Sequence, residues 1–153
     1  MLAIGILLAA TSPAAEDVFA VCRIQEKESP DTIAMVLKSK SGDAANGQTF
    51  FVSKEKILDD RDVISAQMIE RDDTFSVNLK LTENGKEKFA KLTKETIGKR
   101  LAILLNGKLY SAPVVRTEIT GGELEISYFA FTTKAEAKEL IAAFGKTSDE
   151  EHR

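Results

Sequence analysis

Residues 81–115 read LTENGKEKFAKLTKETIGKRLAILLNGKLYSAPVV, and this stretch decides the fold. Thr82 is a good helix N-cap, because its hydroxyl accepts from one of the unpaired N–H groups of the first turn. Phe89, Leu92, Thr96 and Ile97 then recur three or four residues apart, which predicts one buried helical stripe. Lys86, Glu87, Lys91, Lys94 and Glu95 fill the wet side, and Gly98 stands where a left-handed residue would end the helix. Beyond it, Asn106-Gly107 separates two apolar runs, a type I′ hairpin signal because both turn positions need positive φ. Pro113 interrupts the second run and marks it as an edge or a bend.

Further out, Val63 to Ile69 and Phe75 to Leu81 read as an antiparallel pair joined across Arg71-Asp72-Asp73-Thr74. Phe75, Val77, Leu79 and Leu81 alternate with Ser76, Asn78 and Lys80, so this sheet is packed on one face and wet on the other. Gly121-Gly122 opens a further strand carrying Leu124, Ile126 and Tyr128. Thr133-Lys-Ala-Glu136 is a capping box for a second helix, with Ala137, Leu140, Ile141 and Phe144 as its buried stripe and Gly145 closing it. The expected class is α+β: a mixed, mainly antiparallel sheet with two helices packed on one face.

Five motifs follow one another in fixed order: Thr82-Glu-Asn-Gly85 with Lys88-Phe89-Ala90, Ile97 to Ile103, Asn106-Gly-Lys108, Ser111-Ala-Pro113, and Ile119-Thr-Gly-Gly122. In this order they resemble the head subdomain in the first periplasmic region of SecD, an accessory subunit of the bacterial protein-export machinery. The resemblance is specific over residues 82–132, looser from Asp62 through Phe144, and faint before Asp62. It implies transient, non-catalytic contact with unfolded polypeptide outside the cytoplasmic membrane, in the periplasm or beyond.

The N-terminal part is less legible. Residues 1–10 are apolar and are followed by Thr-Ser-Pro-Ala-Ala15, which reads as a signal peptide over 1–15, although no Lys or Arg precedes the apolar run. The competing reading is a first core strand or helix. Residues 16–61 are expected to hold strands and loops: Thr32 to Leu37 and Thr49 to Val52 as strands, 41–47 as a loop, and 54–61 left open between a helical turn and an irregular connection. The head-like domain is expected over 62–145 and a polar, disordered tail over 146–153. Cys22, the only cysteine, stands in an alternating stretch expected to be a half-buried strand, and as an unpaired thiol it should itself be buried.

Composition excludes several function classes. A net charge of −3 provides no field for nucleic acid. His152 is the only histidine and stands in the expected tail, which removes histidine-based nucleophile activation. One histidine and one cysteine cannot form a zinc site. Asp59-Asp60-Arg61-Asp62 lacks the glycine and terminal glutamate of a calcium loop and is expected to serve as a turn with surface charge. Neither a cofactor nor catalysis is expected. What remains is binding. Pro113 on an open edge, together with Phe129 and Phe131 near a sheet end, forms the expected contact for extended peptide. The partner would be unfolded polypeptide or the export machinery; the alternative is an envelope interaction module for a specific folded partner or small ligand.

Overall fold

The computed structural model describes residues 17–38, 45–126 and 133–144. The 81–115 unit forms as its caps dictate. Thr82 Oγ1 accepts from the Gly85 N–H at 3.0 Å and starts α1 (Glu83–Glu95). Gly98 takes φ +82° just beyond the helix. Strands β6 (Leu101–Leu105) and β7 (Lys108–Ser111) join through Asn106 at φ 50° and Gly107 at φ 76°, as a type I′ turn requires.

Two antiparallel sheets surround this unit. The larger runs β2 (Thr32–Val36), β3 (Thr49–Asp59), β1 (Phe19–Gln25), β6, β7. The smaller runs β4 (Val63–Arg71), β5 (Thr74–Leu81), β8 (Glu123–Ile126). The β4–β5 turn is made by Asp72 and Asp73, both at positive φ, a conformation that short polar side chains tolerate. The second helix, α2 (Lys134–Phe144), begins after Thr133, whose hydroxyl accepts from the Glu136 N–H. The α+β class holds. Residues 1–16, 39–44, 127–132 and 145–153 lie outside the described residues, and with them the expected signal peptide, most of the 41–47 loop, Tyr128, Gly145 and the tail.

Both helices enter one core with both sheets. Phe19 and Val21 of β1, Leu79 of β5, Leu101 and Ile103 of β6, Phe89 and Leu92 of α1, and Leu140 and Phe144 of α2 all meet there. The opposite face of the larger sheet carries a second, smaller core around Ala20, Cys22, Val52, Ala102, Leu104 and Leu109. Strand β1 therefore separates two cores and is buried on both sides, which corrects the half-buried reading of the strand, while Cys22 itself is buried as expected of an unpaired thiol, at 1% exposure. Alternation along β1 is real, but each of its faces meets apolar side chains. Strands β1 and β3 also come from before residue 62, yet β1 pairs directly with β6.

Burial pushes the Cys22 thiol up to about 11 from its ordinary 9.0, with Lys56 pulling it down and Glu55 adding to the rise. The folded state thus keeps its proton where the unfolded chain would lose it. Stability should be full below pH 9 and fall as pH rises between 9 and about 11. Urea titrations across that range check the slope, and a Cys22→Ala variant should flatten it. A slope unchanged by the substitution would contradict the assignment.

Ile97 is a second correction: it is 52% exposed, outside the buried stripe. The helix ends at Glu95, so three-to-four spacing no longer describes where Ile97 points. Its place in the core is taken by Thr93, which is fully buried. The Thr93 hydroxyl donates to the Phe89 carbonyl at 2.8 Å and accepts from the Ile119 N–H at 2.9 Å, fastening the loop before β8 to the helix.

The stretch 54–61, left open from the sequence, continues β3 to Asp59 and ends in a single 3-10 turn, Asp60–Asp62. Irregularities in the β1–β3 register, on either side of Cys22, insert extra residues into β3. Each extra residue shifts the two-residue period, so the strand shows no clean alternation.

Gly85 shows where packing overrides helix propensity. A Cβ there would lie 2.9 Å from both the Cβ and the backbone oxygen of Asp62. That oxygen is held by the Thr82 N–H at 2.8 Å and has little room to move. Alanine would gain about 1 kcal/mol in helix propensity, while overpacking costs about 1–3 kcal/mol. Gly85→Ala should therefore destabilise by up to about 2 kcal/mol in urea unfolding. A stabilised variant would show that the Asp62 backbone yields.

Candidate functional site

The open edge beside Pro113 follows from the hairpin. Strand β7 is the last strand of the larger sheet, and its ladder continues past Ser111. Leu101 N–H donates to the Pro113 carbonyl at 3.0 Å, and Val115 N–H donates to the Lys99 carbonyl at 2.9 Å. These two bonds flank the bridge between Arg100 and Val114. Arg100 and Val114 are thus a non-hydrogen-bonded pair, and the N–H and C=O of Val114 point away from β6. Proline at position 113 keeps the carbonyl that Leu101 uses and lacks only the reciprocal N–H of that pair. The Arg100 guanidinium donates to the Ala112 carbonyl and holds the bend. Pro113 and Val114 are exposed, while Ala112 and Val115 on either side are buried. The result is a short anchored edge with strand-pairing groups turned outward.

Phe129 and Phe131, the other two expected contact residues, lie outside the described residues. Ser111 is half-buried at the end of β7. Tyr110 precedes it and packs against the main core; burial, reinforced by the Glu136 carboxylate, pushes its phenol well above the ordinary range.

A second polar cluster is Asp59 to Asp62, and here surface charge is the wrong description. Asp59 is 6% and Asp62 3% exposed. The Asp62 carboxylate accepts from the Asp59 N–H at 3.1 Å and from Lys88 Nζ at 3.1 Å. Asp60 accepts from the Val18 and Phe19 N–H groups, each at 2.8 Å. The Arg61 side chain, hydrogen-bonded to Asp59, holds that carboxyl below its ordinary range. Asp60 ties this turn to the start of β1, Asp62 ties it to β3 and α1, and Asp59 caps the turn itself through Arg61. Among the described residues no group of three or more His, Cys, Asp or Glu side chains is placed to hold a metal ion. The cluster is a fold joint, and the sequence signal that could have shown it is the Asx-type capping pattern of Asp59 and Asp62 three residues apart.

Among the described residues, no helix is long and apolar enough to cross a membrane. The family described as the SecDF P1 head subdomain matches residues 31–146. That match takes in β2 and β3 as well as the stretch after Asp62. The protein translocase subunit SecDF of Thermus thermophilus is 42% identical over 69 residues, covering 45% of this chain and 9% of that protein. The protein translocase subunit SecD of Calditerrivibrio nitroreducens is 34% identical over 119 residues, covering 72% of this chain and 22% of that protein. The chain thus spans less than a quarter of the length of these relatives. A solved structure of SecDF, a membrane component that enhances protein export, shares the fold with a TM-score of 0.65 at 23% identity, over 86% of this chain and 63% of that one.

Proposed function

Since the chain belongs to the SecDF P1 head subdomain family, we propose that it is a non-catalytic head that takes part in protein translocation by contacting extended polypeptide outside the cytoplasmic membrane. The observation that carries this reading is the outward-facing N–H and C=O of Val114 on the anchored edge 113–115. An unfolded chain has unpaired backbone groups along its whole length, so edge pairing requires no particular sequence. A short edge gives few hydrogen bonds and hence weak, quickly reversed contact, which suits a partner that must move on. Phe129 and Phe131 are assigned to the same contact as its apolar side-chain component.

The test is to remove the outward donor without touching the ladder. Val114→Pro deletes an N–H that no strand of the sheet uses. Binding of a fluorescent, permanently unfolded polypeptide should weaken severalfold in anisotropy titrations, with the circular dichroism spectrum unchanged. Unaltered binding by a folded variant would refute pairing at this edge.

A further inference from the structure

The same end of the molecule carries a second surface, made of side chains. Ile97 is 52% and Val114 37% exposed, two of the five exposed large apolar residues among the described ones. The backbone brings their neighbourhoods together: Gly98 N–H donates to the Val115 carbonyl at 2.8 Å, one residue from each. Lys94 in the last turn of α1 precedes Ile97 by three residues, Lys99 follows Gly98 and Arg116 follows Val115, and all three are exposed. None of the three forms an ion pair among the described residues. The nearby Glu95 is engaged by Arg23 at 2.6 Å, which leaves Glu118 as the nearest exposed carboxylate in sequence. A locally cationic, aliphatic-tipped end on a chain of net charge −3 does not follow from composition.

We propose that this end docks on an anionic lipid surface, with Ile97 and Val114 entering the headgroup boundary and Lys94, Lys99 and Arg116 meeting lipid phosphates. Charge complementarity selects the occupant. Long cationic stems covering isolated aliphatic side chains match the interface of an anionic bilayer, whereas a folded partner would require a fixed complementary surface with a packed apolar centre. Docking would turn the outward edge at Val114 toward the membrane side of the molecule. The proposal uses side chains where polypeptide contact uses backbone groups, and the two meet only at Val114.

Vesicle flotation of the full chain tests it, comparing phosphatidylcholine vesicles with and without phosphatidylglycerol. The ratio of the two affinities cancels any binding through the apolar residues 1–10. Each cation near an anionic surface gives roughly fivefold in affinity, so wild type should prefer anionic vesicles by about a hundredfold at low salt and lose the preference at high salt. Lys94→Glu/Lys99→Glu/Arg116→Glu should abolish the preference with an unchanged melting curve, and Ile97→Ser should weaken binding to anionic vesicles severalfold. Equal binding to both vesicle types, or a preference that survives charge reversal in the folded variant, would overturn the proposal.

Discussion

Phe19→Ala is expected to remove about 3–5 kcal/mol of folding stability, the range for deleting a fully buried aromatic ring. Phe19 is completely inaccessible and lies on the central strand of the larger sheet. Its ring packs against Phe144 of α2, with centroids 6.3 Å apart and planes tilted by 52°. The contact links the first described strand to the last described helix, so truncation opens a cavity where two distant parts of the chain meet. Neither element can close the gap alone: β1 is pinned by β3 and β6, and α2 is anchored by Ala137 and Leu140. Urea unfolding should show a lower midpoint at unchanged slope. A double-mutant cycle with Phe144→Ala should return about 0.5–1.5 kcal/mol of coupling. A loss below about 1 kcal/mol for Phe19→Ala would mean that the core collapses around the deletion, contrary to the close packing described.

Asp60→Ala is expected to cost about 2–4 kcal/mol, a large effect for a residue that is only half-buried. Its two carboxylate oxygens accept the Val18 and Phe19 N–H groups at 2.8 Å each, at the point where β1 begins. Hydrogen bonds to a charged acceptor contribute about 1.5–3 kcal/mol apiece, and water entering the vacated site offsets part of the loss. Asp60→Asn keeps one acceptor oxygen and should lose roughly half as much. Amide hydrogen exchange gives the local readout: Val18 and Phe19 should exchange faster in both variants. Unchanged protection there would remove Asp60 from the anchoring of β1.

The parts of this fold legible in the sequence are those set by local chemistry. Thr82 and Asn106-Gly107 impose a cap and a turn within a few residues and do so in the structure. Gly98 is left-handed as its position suggests but sits in the turn closed by Lys99 N–H on the Thr96 carbonyl, two residues beyond the C-cap. The alternation of β5 was equally plain, because that strand buries Val77, Leu79 and Leu81 on one side and exposes Lys80 on the other. What stayed hidden depends on distant partners. Bulges opposite Cys22 scramble the period of β3, and the second core makes β1 apolar on both faces. Ile97 misled because spacing continues past a helix end that only the backbone defines. The four-residue acidic run 59–62 read as surface because its partners, the Val18 and Phe19 amides and Lys88, lie about 26 to 42 residues away. At the candidate site Pro113 was legible as an edge marker, while the outward turn of Val114 required the register of its ladder.

Contact with extended polypeptide at the 113–115 edge is tested most directly by an NMR titration of the labelled chain with a soluble, permanently unfolded polypeptide. The account predicts saturable, fast-exchange shifts centred on the amides of Val114 and its neighbours, with the Leu101 and Val115 amides still protected by their ladder bonds. Millimolar polypeptide without shifts on that edge, or saturable shifts confined to another face, would contradict it.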